Sequence, residues 1–115
     1  MKTTTDHKIS ELVDHAHEIS NTNGFWNDLS FDSGVNVIGT KLALVHSEVS
    51  EALEVLRSDP SPSSLSQSIE WRTELADIVL RVMDLAGATM DSRDFHAALV
   101  NKMNHNRERE FKCSV

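Results

Sequence analysis

The chain has 115 residues, and its 39% hydrophobic and 25% charged content is ordinary for one globular domain spanning residues 1–115, which argues against intrinsic disorder. The net charge of −7 argues against a nucleic-acid partner, because such a surface needs a basic face to displace counterions. No segment approaches the roughly 20 apolar residues that cross a membrane, no signal-like stretch opens the chain, and Cys113 is the only cysteine. We therefore expect a soluble, cytoplasmic protein that binds neither membrane nor nucleic acid.

The first predicted helix runs from Asp6 to about Ser20, where apolar residues recur at spacings of three and four. The sequence Asn-Thr-Asn-Gly at 21–24 is expected to end it. A loop that contains Phe25 and Trp26 should then lead to the second helix.

The second helix is predicted to begin at Val35 or Asn36 and to end near Arg57, with apolar residues over a broad face. Residues 58–64 hold two prolines among serines and an aspartate, so we interpret them as a non-helical linker.

The third helix is predicted from Ser66 or Ile69 to residue 88, and the last from a cap at Asp91 or Ser92 to about residue 109, followed by a short tail. Four helices, short connections and no strand pattern predict an all-α four-helix bundle. The broad apolar faces of the second and third helices predict a homo-oligomer, because one subunit cannot cover them.

Two acidic pairs are the strongest chemical signal, Glu48-x-x-Glu51 and Glu74-x-x-Asp77. Residues three apart on a helix face nearly the same way, so each helix can present two carboxylates side by side. If the two helices pack together, four carboxylates converge, and at ~5 Å with an effective dielectric of ~20 each pair repels by about 3 kcal/mol. Hard divalent cations would neutralise them, which predicts Mg²⁺ as the cofactor, with Mn²⁺ as a substitute. The alternative is that these acids are ordinary solvent-exposed residues of a non-catalytic helical assembly module.

The acidic pairs and their surroundings resemble the MazG-like, all-α nucleoside triphosphate pyrophosphohydrolases. The resemblance covers about 9–109. It rests on the acidic motifs, on the stretches 41–54 and 74–86 around them, on Gly24-Phe25-Trp26, and on Lys102-Met103-x-x-Asn106-x-x-Arg109. After Arg109 the chain reads Glu-Phe-Lys-Cys, where related short members continue with a proline and a basic, histidine-containing tail, so no substrate contact is transferred to this stretch.

The resemblance implies a divalent-metal enzyme that hydrolyses a nucleoside triphosphate between the α- and β-phosphates, and that forms a dimer or a tetramer. Deoxynucleoside triphosphates are favoured as substrates, with dGTP and dCTP as candidates, and the purpose would be control of the nucleotide pool, in the host cytoplasm if the protein is viral. A guanosine alarmone or a damaged nucleotide is the alternative substrate.

The resemblance also implies roles for individual residues. Glu48, Glu51, Glu74 and Asp77 would hold the metal, and either Glu48 or Glu51 would orient the attacking water. Lys102, Asn106 and Arg109 share one helix face and would bind phosphate, where the alternative is a solvated basic helix end.

Four further residues have two open interpretations each. Lys41 either touches phosphate or balances the acids, and Trp26 either stacks on a base or fills the core. Arg81 and Asp84 either support the site from behind or pair with each other. The histidines have no zinc-type spacing.

Overall fold

The computed structural model describes residues 4–27, 34–58 and 61–109, and it describes residues 4–7 by their backbone alone. None of these described residues forms a strand. Five helices follow one another, namely α1 (Thr4–Thr22), α2 (Val35–Ser58), α3 (Pro62–Leu65), α4 (Ile69–Thr89) and α5 (Ser92–Glu108). The all-α prediction is confirmed. Residues 28–33 of the predicted loop, 59–60 of the predicted linker, and the tail from 110 onward lie outside the described residues.

The prediction of a linker without helix is wrong at residues 62–65, which form the short helix α3. Pro62 occupies its first turn, where the missing N–H would have had no helical partner and the fixed φ suits the helix. Ser61 precedes it in an extended conformation, and the Ser64 amide donates to the Ser61 carbonyl at 3.1 Å. Pro62 therefore starts a helix within the predicted linker segment.

The end of α1 is a glycine-dependent turn that redirects the chain toward α4. Gly24 has a φ of +85°, a conformation that glycine adopts at little cost. The Phe25 amide donates to the Ser20 carbonyl at 3.0 Å, and the Gly24 amide to the Asn21 carbonyl at 3.1 Å. This is the Schellman pattern of a helix C-terminus, and it positions Phe25 and Trp26 against the neighbouring helices.

The starts of α4 and α5 are set by capping side chains. Ser68 Oγ accepts a hydrogen bond from the Trp71 amide at 3.1 Å, and Asp91 Oδ1 accepts one from the Arg93 amide at 2.9 Å. Each satisfies one of the amides that a helix start leaves without a partner. Of the two predicted caps for the last helix, the structure has Asp91.

Helix α4 is the centre of the packing, because it contacts both α2 and α1, while α5 packs mainly against α1. The described buried apolar residues are few and come from α1, the turn after it, α2 and α4: Val13, Trp26, Val37, Ala52 and Ala86. Among the described residues, no helix combines the length and the apolarity that a membrane crossing would require.

Candidate metal centre and adjoining cleft

Three carboxylates from two helices meet where α2 packs on α4. Glu48 of α2 and Glu74 and Asp77 of α4 each offer an oxygen, and these oxygens all lie within 4.8 Å of one another. Glu74 and Asp77 are side by side because they are three residues apart on one helix. Glu48 is buried, and the other two are half-buried. Three of the four acids that the sequence singles out are thus brought together.

Glu51, the fourth predicted acid, is exposed and lies beside this group without joining it. A hydrogen bond with the Glu48 carboxyl, and then the negative charge of Glu48, raise the pKa of Glu51 above its ordinary value, with smaller contributions from Glu74 and Asp77. The pKa of Glu74 is also raised, first by partial burial and then by the charges of Asp77 and Glu48. Negative charge is therefore crowded here beyond what the surrounding residues offset.

A hard divalent cation fits this donor set. Glu74 Oε2 is covered from solvent and accepts no hydrogen bond from any residue that the structure describes. Leaving a buried charged acceptor without a partner is unfavourable. Carboxylate oxygens are the ligands that Mg²⁺ prefers, and it binds through a few carboxylates while keeping several waters. Glu48, Glu74 and Asp77 are the residues that could hold it.

Arg81 brings a positive charge to the group from one turn beyond Asp77. Its Nε lies 3.3 Å from Glu48 Oε2, and its guanidinium carbon lies 5.1 Å from the centroid of the Phe25 ring. Arg81 Nε is nevertheless covered from solvent without a well-aligned hydrogen bond, so the contact with Glu48 is an ion pair by proximity alone. Pairing between Arg81 and Asp84, one of the two open interpretations, does not occur in this structure.

A cleft of about 300 Å³ opens beside the carboxylates, between the end of α1, its turn, α2 and α4. Glu48, Asp77 and Arg81 line it on one side, and Phe25, Ile19 and Leu80 supply apolar surface. Ser20, Asn23 and Asp84 add polar groups. An apolar cleft with a few placed polar groups is the usual form of a small-molecule site, and this one includes two of the three clustered acids.

Asp84 is a buried carboxylate held by three donors. Trp26 Nε1 donates to it at 2.9 Å, Ser20 Oγ at 2.7 Å, and His17 Nδ1 lies 2.8 Å from its Oδ1. An ionised carboxylate only accepts, so His17 is the donor. This network joins α1 and the following turn to α4, and no sequence pattern indicates that His17 belongs to it. The only available signal was the spacing of seven from Asp77, which puts Asp84 two turns along the same face.

Trp26 is 5% exposed and Lys41 is buried, so both side chains lie inside the folded protein. Trp26 is enclosed by Asp84, His17 and Phe25, an arrangement that matches the core-filling interpretation more closely than base stacking. Lys41 Nζ donates to the Phe25 carbonyl and lies 3.9 Å from the centroid of the Phe25 ring and 5.0 Å from that of Trp26. Lys41 therefore fixes the turn that forms the cleft wall. Its contact with phosphate stays a prediction.

The predicted phosphate-binding residues on α5 are not among the residues that line the cleft. Helix α5 begins beside residues 10–14 of α1, where Asp91 and Arg93 share a groove with Asp14, whereas the cleft is lined by residues 16–20 of α1 and by the turn that follows this helix. Lys102 and Asn106 are exposed, Arg109 is half-buried, and Arg109 Nη1 lies 3.5 Å from Asn106 Oδ1. Their role stays a prediction.

Comparison with known proteins adds no relative. The chain matches no protein-family model, no curated protein and no solved structure.

Proposed function

We propose that this chain is a Mg²⁺-dependent nucleoside triphosphate pyrophosphohydrolase of the MazG-like type, which converts a deoxynucleoside triphosphate and water into the monophosphate and pyrophosphate. One observation carries the proposal. Glu48, Glu74 and Asp77 bring three carboxylate oxygens within 4.8 Å of one another, and two of these residues also line a cleft of about 300 Å³. The resemblance of both acidic motifs to that family supports the same assignment.

In this proposal the three clustered acids bind the metal and the exposed acid acts on the attacking water. Glu48, Glu74 and Asp77 would hold the metal, which when bound lowers the pKa of a coordinated water and offsets the charge of the phosphates. Glu51 is exposed beside Glu48 and outside the three clustered acids, so it is suited to orient the attacking water and to accept its proton. The water oxygen adds to the α-phosphorus. The bond from this phosphorus to the oxygen that bridges to the β-phosphate breaks, and pyrophosphate leaves.

The cleft beside the acids is where the nucleoside would lie. The Phe25 ring lines the cleft, with Lys41 Nζ 3.9 Å and the Arg81 guanidinium carbon 5.1 Å from its centroid, and it offers apolar surface to a base. Asn23 and Ser20 offer polar groups to its edge. Trp26 supports Phe25 from behind through an edge contact, with ring centroids 6.1 Å apart. We therefore assign the base contact to Phe25 in preference to Trp26.

A second copy of the chain would complete the assembly. Exposed apolar side chains form stripes along α2 and α4, at Leu42, Val49 and Leu53 and at Leu75 and Val79. Exposed stripes of this kind mark protein–protein contacts. Because Lys102, Asn106 and Arg109 are not among the residues that line the cleft of the same chain, phosphate contacts by these three residues would come from another copy. We propose a homodimer or a homotetramer on this basis.

The experiment is a panel of ribo- and deoxynucleoside triphosphates with Mg²⁺, scored separately for monophosphate, pyrophosphate and orthophosphate. Asp77→Asn should lower turnover by about 100-fold or more, since even groups that only support a metal ligand are worth about 10–100-fold. Asp94→Asn is the matched control, because Asp94 is an exposed acid on α5 outside the cluster, and it should keep full activity.

Three results would count against the proposal. Release of orthophosphate in place of pyrophosphate would overturn the assigned bond cleavage. Equal turnover by Asp77→Asn and the unaltered chain would overturn the metal role of Asp77. Absence of hydrolysis across the whole panel would favour the non-catalytic assembly module.

A further inference from the structure

Arg81 occupies an unusual position, because it is a cation placed against a residue that would itself bind a cation. Its Nε is 3.3 Å from Glu48 Oε2, and Glu48 is one of the three clustered carboxylates. The Arg81 side chain is 32% exposed and the Glu48 side chain 10%, so the acid is fixed in the interior while the arginine borders open space. That open space is the cleft, which Arg81 lines together with Glu48 and Asp77.

The contact between Arg81 and Glu48 is weakly directional. Arg81 Nε has no well-aligned hydrogen bond although it is covered from solvent, whereas arginine–carboxylate pairs that define a structure are commonly bidentate and aligned. The guanidinium also lies 5.1 Å from the centroid of the Phe25 ring, a contact that tolerates sliding because an aromatic face attracts a cation without a fixed bond direction. Arg81 can therefore leave Glu48 without breaking an aligned hydrogen bond.

A divalent ion at Glu48, Glu74 and Asp77 would change the forces on Arg81. The two positive charges would repel each other across a short distance in a partly buried setting. Glu48 would at the same time give part of its negative charge to the ion. The guanidinium would then be most favourably placed in the cleft, where a polyphosphate supplies the negative charge that Glu48 no longer offers.

We propose that Arg81 is a placeholder cation, which neutralises Glu48 in the metal-free protein. When metal binds, Arg81 leaves Glu48 and binds a phosphate oxygen of the ligand in the cleft. This inference rests on the proposed function, because it needs both the metal at the acids and an anionic ligand in the cleft. It makes Arg81 a phosphate-binding residue. It also makes metal binding and ligand binding respond to this one side chain in opposite directions.

The test is calorimetric titration of the full chain with Mn²⁺ alone, and then, at saturating Mn²⁺, with the α,β-methylene analogues of dGTP and dCTP. Arg81→Gln removes the competing charge, so its Mn²⁺ affinity should rise by about fivefold to tenfold. The same variant should bind the analogues about tenfold or more weakly, because a charge-assisted contact to phosphate is lost.

Two further variants make the result specific. Arg81→Lys keeps the charge and should return the Mn²⁺ affinity close to that of the unaltered chain. Arg57→Gln removes an exposed arginine of the same helix as Glu48 that pairs with Glu54, and should change neither affinity. Far-UV circular dichroism and thermal melting of each variant would confirm that it is folded.

The outcomes separate the two proposals. If the unaltered chain binds Mn²⁺ and Arg81→Gln binds it equally or more weakly, the placeholder role is overturned and the proposed function stands. If the Mn²⁺ affinity of Arg81→Gln rises but its affinity for the analogues is unchanged, the proposed contact between Arg81 and phosphate is overturned. If no variant and not even the unaltered chain binds Mn²⁺, both proposals fail.

Discussion

Asp84 is 6% exposed, and a charged group at that depth is stable only because it is fully hydrogen-bonded. His17, Ser20 and Trp26 supply the donors, and all three come from α1 or the turn after it. Replacing one donor would leave a buried acceptor less well satisfied, at a cost of about 1–3 kcal/mol. The network therefore fixes how the Phe25-bearing turn lies against α4, and with it the wall of the cleft.

Asp91 gives a pH prediction at the scale of one residue. Hydrogen bonds from the Arg93 side chain, and then from the Arg93 amide, hold the pKa of Asp91 at about 2, below its ordinary value of 3.8. Because the folded-state pKa is lowered, the stabilising contribution is fully present above about pH 4 and is lost as the pH falls through about 2.

Asp91→Asn isolates that charge, because asparagine also caps a helix well. At pH 7 the variant should melt at a lower temperature than the unaltered chain, and the gap should close as the pH falls from 4 to about 2. Thermal melting followed by circular dichroism across this range measures the gap. A gap that stays constant with pH would show that the carboxylate form of Asp91 adds no stability.

Single residues differ in how far their roles could be predicted. The Asp91 cap and the acidic pairs were predictable because each depends only on residues within about one turn of a single helix. The pairing of Arg81 with Glu48 and of Asp84 with His17 joins residues on different helices. Such pairs depend on the rotation of each helix about its axis, which periodicity defines only to about one face of the helix.

At the scale of elements, α1 and α4 approach closely at Gly87. A Cβ added there would lie 2.6 Å from His17 Cβ and 3.2 Å from the Val13 carbonyl oxygen, which are distances that require the helices to move apart. His17 is also a donor to Asp84, so a shift of α1 would disturb the buried network. Gly87 therefore matters for packing and not for backbone conformation.

Gly87→Ala should lower the free energy of unfolding by up to about 2 kcal/mol, because overpacking costs about 1–3 kcal/mol and the gain in helix propensity returns only about 1 kcal/mol. Gly39→Ala is the matched control, since a Cβ at Gly39 of α2 meets nothing within 4 Å, and it should raise the free energy of unfolding by up to about 1 kcal/mol. Urea unfolding of both variants makes the comparison. Equal stabilisation by the two alanines would contradict the close approach at Gly87.

The four long helices were predictable because each has a sustained apolar period and clear stop signals, and the observed ends lie within a few residues of the predicted ones. Helix α3 was not predictable from that pattern, because four residues hold barely one period. The main packing partner of α5 was not predictable either. Its apolar face indicates that it packs, but not that α1 is its main partner.

At the scale of the whole molecule, the apolar stripes on α2 and α4 predict a defined assembly. Val79 is 48% exposed, lies outside the residues that line the cleft, and belongs to the α4 stripe. Val79→Glu would place a charge within an apolar contact, which is strongly unfavourable without a partner. We expect this variant to be monomeric where the unaltered chain is a dimer or a tetramer.

Val35→Glu is the control for that change, because Val35 is 86% exposed at the first turn of α2, where an acidic residue suits the helix dipole. Size-exclusion chromatography with multi-angle light scattering gives the mass of each variant. A monomeric mass for the unaltered chain at high concentration would contradict the assembly, as would an unchanged oligomer in Val79→Glu.

Anomalous diffraction from crystals soaked in Mn²⁺ would reveal whether Glu48, Glu74 and Asp77 share one divalent cation. We expect an anomalous peak in contact with oxygens of all three side chains, and no such peak in Asp77→Asn crystals. Crystals of the unaltered chain that show no Mn²⁺ at these acids, with the three carboxylates separately surrounded by water, would contradict it.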